Sequence, residues 1–252
     1  MHSEYRRINK ESDTAVLFIH GILGTPRHFD DLIALVPERI SVYNMLLDGH
    51  GRGVRDFSGT SMKKWEHQVA VVIKELSLQH KRIIIAAHSM GTLFSICEAV
   101  KNPDLIKGLF FLAVPLKIVV KPKVITNSAK VYFNKISKDD LPALSAKKAY
   151  GIAENDKKFW HYFCWLPRYF ELFSKIVSTR KQLPNIKTPI YAFQSSKDEM
   201  VPLSAARYLK GIEGVRIKYL EKSSHYYYEK QDYKVLLREF SAFLEELLKK
   251  DP

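Results

Sequence analysis

The chain reads as an α/β protein: a mainly parallel sheet with helices on both faces, interrupted by a helical insertion. Three observations predict this. Short apolar runs alternate along the chain with segments whose apolar residues recur at helical spacing. The run RIIIAA at 82–87 carries no polar alternation, as expected of a strand covered on both sheet faces. The rhythm breaks once, over residues 116–183, where Lys-rich sequence of helical pattern replaces it.

Taken in order, residues 5–8 leave room for one short strand before residues 15–19 (AVLFI), the first strong strand. Residues 27–36 follow helical spacing, with Phe29, Leu32, Ile33 and Val36 on one face, and residues 41–47 form a second strand. Residues 61–78 are helical, with Trp65, Val69, Val72, Ile73 and Leu76 at i, i+4, i+7, i+8 and i+11. Residues 82–87 (RIIIAA) are strand-like, residues 90–100 helical and residues 108–114 (GLFFLAV) strand-like again. After the insertion come strands at 188–194 and 215–220, a short helix at 204–209, and a closing helix at 231–250. That last helix places Tyr233, Leu237, Phe240, Leu244 and Leu247 on one face. The core is therefore residues 1–115 and 184–252, and the insertion, 116–183, lies within the same domain over the end of the sheet. Its stretch 159–173 (FWHYFCWLPRYFELF) is unusually aromatic.

Composition narrows the function classes. With 252 residues, 46% hydrophobic and 27% charged, the chain can bury one large core. Forty Lys and Arg against 27 Asp and Glu give a formal net charge of +13. Lysines scattered along the chain suit a solvated surface, and no nucleic-acid motif accompanies them, so no nucleic-acid partner is expected. Cys97 and Cys164 have no CxxC partners and make no disulfide framework, which suits a reducing, cytoplasmic setting. The first residues lack the apolar stretch of a signal peptide, and no run reaches the roughly 18 apolar residues of a membrane span.

The chemistry collects where strands end. His88-Ser89-Met90-Gly91 joins the strand at 82–87 to the helix at 90–100. A serine on such a turn projects its Oγ from the carboxyl edge of the sheet, and the helix N-terminus offers N–H groups to a developing oxyanion. The pattern is GxSxG with Ala87 in place of the first glycine. Asp198 follows the strand at 188–194, and His225 follows the strand at 215–220, both on the same rim. A histidine takes the serine proton and a carboxylate fixes its tautomer. His20-Gly21-Ile22-Leu23-Gly24 follows the first strong strand, and its Ile22 N–H is the expected second oxyanion donor beside that of Met90. Asp48-Gly49-His50-Gly51 forms a tight loop in which His50 reads as structural, and His88 reads as a packing residue.

These motifs, in this order, resemble the alpha/beta hydrolase superfamily, and most closely its small bacterial carboxylesterases and monoacylglycerol lipases. The resemblance spans residues 15–248 apart from the insertion. It implies Ser89 as nucleophile, Asp198 as acid, His225 as base, Ile22 and Met90 as oxyanion donors, and residues 116–183 as a helical cap. It implies hydrolysis of a carboxylic ester through an acyl-enzyme, with no metal or organic cofactor. The expected partner is a small acyl ester, lipid-like if residues 159–173 line an acyl pocket, with peripheral contact to an anionic membrane as a further expectation. Thioesterase, amidase, aminopeptidase and acyltransferase chemistry would use the same triad. A non-catalytic binding protein on this fold is the remote alternative. Oligomeric state is not legible.

Overall fold

The computed structural model describes residues 2–133, 135–156 and 158–249. The chain opens with β1 (Tyr5–Arg7) and β2 (Thr14–Ile19), then a 3₁₀ turn at Pro26–Phe29 that runs into α1 (Asp30–Ile33). It continues through β3 (Ser41–Met45), α2 (Val54–Ser58), α3 (Met62–Ser77), β4 (Arg82–His88), α4 (Met90–Lys101) and β5 (Ile106–Leu112). Between β5 and β6 lie α5 (Pro122–Tyr132), α6 (Leu141–Ala149), a 3₁₀ segment at Phe159–Trp165 and α7 (Leu166–Gln182). The chain then forms β6 (Ile190–Ser195), a 3₁₀ segment at Leu203–Tyr208, β7 (Val215–Leu220) and α8 (Lys230–Lys249).

The sheet has seven strands in the order β1-β3-β2-β4-β5-β6-β7. β1 pairs antiparallel with β3, and every other pairing is parallel. Alternate residues of the central strands feed two cores. Ala15, Leu17 and Ile19 join Ile83, Ile85 and Ala87 beneath α3, α4 and α7. Val16 and Phe18 join Ile84, Ala86 and Phe110 against α1 and α8. Both faces of β2 and β4 are thus dry, which is why their sequences are continuously apolar.

Local chemistry explains the departures from expectation. The helix expected at 27–36 divides, because Pro26 starts it as 3₁₀ and Val36 N–H bonds back only to Ile33 O, at 3.0 Å. The aromatic stretch 159–173 starts as 3₁₀ and becomes α-helical only at Leu166, with Pro167 in the first turn, where its missing N–H is harmless. Helix α2 was not expected; its N-terminal Gly53 N–H donates to Asp56 Oδ2 at 3.1 Å. The final residue of the helix expected to end at 250 lies outside the described residues.

The segment between β5 and β6 is bound to the rest at several points. Trp165 Nε1 donates to Val54 O at 2.9 Å, and Met62 N–H donates to Glu171 Oε2 at 2.8 Å. Leu172 and Ile176 of α7 are buried in the same core as α3 and α4. Helix α7 therefore packs as a layer helix of the sheet. No helix among the described residues is long and apolar enough to cross a membrane.

Candidate active site

Each residue singled out in the sequence lies at or just beyond the carboxyl end of a strand. Ser89 joins β4 to α4 at φ 49° and ψ −123°, a conformation that costs a non-glycine residue about 1–3 kcal/mol. Tight packing holds it there. A Cβ on Gly91 would overlap the Ile19 carbonyl oxygen, so only glycine lets α4 approach β2 this closely. Ala87 is fully buried and pairs with Ile19 and Phe111, so the methyl group is accommodated within the sheet. Met90 opens α4, where the helix provides no acceptor for its N–H.

His225 and Asp198 meet directly. His225 Nδ1 lies 2.8 Å from Asp198 Oδ2, and both side chains are buried. Asp198 Oδ1 accepts the N–H groups of Met200, at 2.8 Å, and Val201, at 2.7 Å. With Nδ1–H directed at the carboxylate, Nε2 carries the lone pair, and it has no partner among the described residues. Ser89 Oγ makes no hydrogen bond to it. His88, next to Ser89 in the chain, packs its ring 4.7 Å from the His225 ring, and its Nε2 donates to His225 O at 3.1 Å. His88 is accordingly a packing residue that also grips the backbone of His225.

The turn after β2 lies against Ser89, since a Cβ on Gly21 would be 2.9 Å from Ser89 Cβ. Within the turn, Leu23 N–H donates to His50 Nε2 at 3.1 Å and Gly24 N–H donates to Gly21 O at 3.0 Å. Ile22 N–H has no partner among the described residues. Leu23 adopts φ 54°, and its carbonyl accepts Gly151 N–H at 2.7 Å. The carbonyl of Gly151 in turn accepts Gly51 N–H at 2.6 Å. A strand of chain from the insertion thus clasps both the 21–24 turn and the 48–53 loop.

Several site residues gave no signal in the sequence. Glu199 is buried, and its Oε2 accepts His225 N–H at 3.2 Å. Lys121 Nζ donates to Asp198 O at 2.6 Å. Tyr226 packs its ring 4.8 Å from that of His225 and donates its hydroxyl to Ile22 O at 3.3 Å. Burial, followed by the nearby Asp198 charge, raises the Tyr226 phenol far above its ordinary value, so it stays a donor. Nothing but proximity to a motif could have flagged these residues. The aromatic stretch divides: Trp165 faces the core, whereas Phe159, Trp160, Phe163, Phe170 and Phe173 are exposed.

Three buried histidines frame the site in neutral form. Burial lowers His50 to about 4, and lowers His20 and His88 well below their ordinary value. Unfolding returns each to about 6.5, so the unfolded chain binds more protons at mildly acid pH. Their stabilising effect is full above pH 6.5 and is lost as pH falls toward 4 and below. His50 alone is expected to remove about 2 kcal/mol between pH 8 and pH 5, with His20 and His88 adding in the same direction. Urea unfolding at the two pH values measures this. An unchanged midpoint would mean that these rings accept protons in the folded state.

Comparison with known proteins agrees with this architecture. A solved structure of one of LipS and LipT, two metagenome-derived lipolytic enzymes, superposes with TM-score 0.72 at 19% identity, covering 97% of this chain and 98% of that one. The monoacylglycerol lipase of Paleococcus ferrophilus gives 0.65 at 16% identity, covering 95% and 97%. Est1E of Butyrivibrio proteoclasticus, solved with ferulic acid bound, gives 0.67 at 17%, covering 98% and 96%. A 2-(acetamidomethylene)succinate hydrolase of Mesorhizobium japonicum is 28% identical over 100 residues, which span 40% of this chain and about a third (35%) of that relative. The model of the alpha/beta hydrolase family matches residues 16–238, most of the sequence, and the chain belongs to that family.

Proposed function

We propose that the protein is a serine esterase acting through an acyl-enzyme on Ser89. The carrying observation is the buried Asp198–His225 pair, whose Nε2 has no partner among the described residues, together with a serine held in a strained turn next to His88, the residue that donates to His225 O. In the proposed reaction Ser89 Oγ bonds to the carbonyl carbon while its proton passes to His225 Nε2. The carbonyl oxygen gains negative charge between the N–H groups of Ile22 and Met90. The bond to the alcohol breaks as His225 returns the proton to the departing oxygen. Water then attacks the acyl-serine by the same route and releases the acid. Asp198 holds the Nδ1–H tautomer and stabilises the imidazolium.

The substrate proposed is a medium-chain or monoacylglycerol-like ester. Its support is the lipase and esterase structural neighbours, together with the Gly151 segment of the insertion, which lies on the 21–24 turn beside Ser89. A p-nitrophenyl ester panel of increasing acyl length, run beside an acyl-CoA and an aminoacyl amide, tests both bond and length. Turnover confined to acetyl esters would overturn the chain-length reading. A fluorophosphonate that failed to label Ser89 would overturn the mechanism.

Gly151 offers a further check. A Cβ there would overlap the Gly24 carbonyl oxygen and push the clasping strand off the 21–24 turn. Gly151→Ala is expected to lower kcat by roughly 10²-fold, the loss typical of one oxyanion donor, with a smaller change in KM. Steady-state kinetics on the best panel ester measures it.

A further inference from the structure

The insertion carries an apolar surface that the esterase reading does not use. Leu166, Phe170, Phe173 and Val177 stand at i, i+4, i+7 and i+11 of α7 and so share one face. All four are exposed, Phe170 by 69%. Trp160 and Phe163, on the 3₁₀ segment leading into α7, are exposed by 53% and 62%. The opposite side of α7 is anchored in the core through Leu172 and Ile176, so the outward ridge is rigid. An exposed ridge of this length, about 16 Å, is unusual on a monomer and marks a contact surface.

Charge selects the partner. Residues 116–183 contain 14 Lys and Arg against 5 Asp and Glu, a net +9 of the whole chain's +13. Lys158 and Lys181 stand at the two ends of the ridge, exposed and without an ion pair among the described residues. Two copies meeting face to face would bring these like charges together, which opposes self-association. An anionic bilayer answers both features: its phosphates attract the lysines, and its interfacial zone accepts Phe, Leu and Trp side chains. We infer that the α7 ridge docks the protein on an anionic lipid surface.

The test uses Ser89→Ala protein, so that binding is read without turnover and stands or falls apart from the esterase reading. Co-sedimentation is measured with vesicles of phosphatidylcholine alone and with about one-third phosphatidylglycerol. Strong partition onto the phosphatidylglycerol vesicles is expected, weakening with added salt. Phe170→Ser/Phe173→Ser should reduce it by roughly 100-fold, as burial of two aromatic rings is lost. Lys158→Gln/Lys181→Gln should reduce it by roughly 10- to 30-fold. Circular dichroism checks that each variant keeps its fold, and the exposed positions make collapse unexpected. Failure to partition onto either vesicle would overturn the inference, as would equal partition by the Phe variant. So would a stable dimer in sedimentation equilibrium that Phe170→Ser/Phe173→Ser dissociates, because a second copy would then cover the ridge.

Discussion

Ser89→Ala is expected to lower kcat on the preferred ester by at least ~10⁴-fold without loss of fold. The reasoning starts from the turn. Alanine keeps the Cβ, fits the same pocket beside Gly21 and loses only the oxygen. No other hydroxyl shares the position, so residual hydrolysis would come from water attacking an ester polarised by the Ile22 and Met90 N–H groups. A companion variant separates chemistry from strain. Ser89→Gly also removes the hydroxyl but tolerates φ 49°, so it should raise stability by about 1 kcal/mol while being equally inactive. Steady-state kinetics and thermal melts of both proteins provide the readouts. A Ser89→Ala enzyme retaining a tenth of its activity would place the nucleophile elsewhere.

The sequence revealed the features set by local rules. Continuous apolar runs such as IIIAA can only be strands dry on both faces, and β2, β4 and β5 lie where those runs predict. Ser89 and Asp198 were legible because each follows such a run, and His225 because it follows the alternating run 215–220; parallel strands deliver all three ends to one rim. What the sequence left dark depends on long-range contact. Nothing local to Gly151 announces that its backbone crosses Leu23 and Gly51, since those partners are more than ninety residues away along the chain. Glu199 is invisible for a similar reason. A carboxylate in a charged loop reads as solvated until β7 brings His225 N–H onto it. His50 read as structural and is indeed buried, but its acceptance of Leu23 N–H needed the fold to appear. The aromatic stretch misled as a single unit, because the 3₁₀-to-α transition at Leu166 rotates its residues onto different faces.

The second large effect is expected at Asp198→Asn. The two carboxylate oxygens have different duties. Oδ1 takes two backbone N–H groups, and Oδ2 takes His225 Nδ1. An asparagine has one oxygen and one NH₂ to divide between these neighbours. Turning the NH₂ toward Met200 and Val201 would set donor against two donors in a buried site, so the amide oxygen must stay there. The NH₂ then faces His225 Nδ1, which can meet it only as an acceptor. The imidazole proton moves to Nε2, and the nitrogen that should receive the Ser89 proton already holds one. Packing, charge-free volume and the grip of His88 and Glu199 on the His225 backbone are all retained, so the fold should hold. Expected is a loss of roughly 10⁴-fold in kcat near neutral pH, with KM changed little. Glu199→Gln is the contrasting variant. Its amide oxygen can still accept His225 N–H and the tautomer is untouched, so kcat should fall by less than about 10-fold. Kinetics of the two variants on one ester distinguish a tautomer-setting carboxylate from one that only positions the histidine's backbone. Equal losses at both positions would remove Asp198 from the role assigned to it.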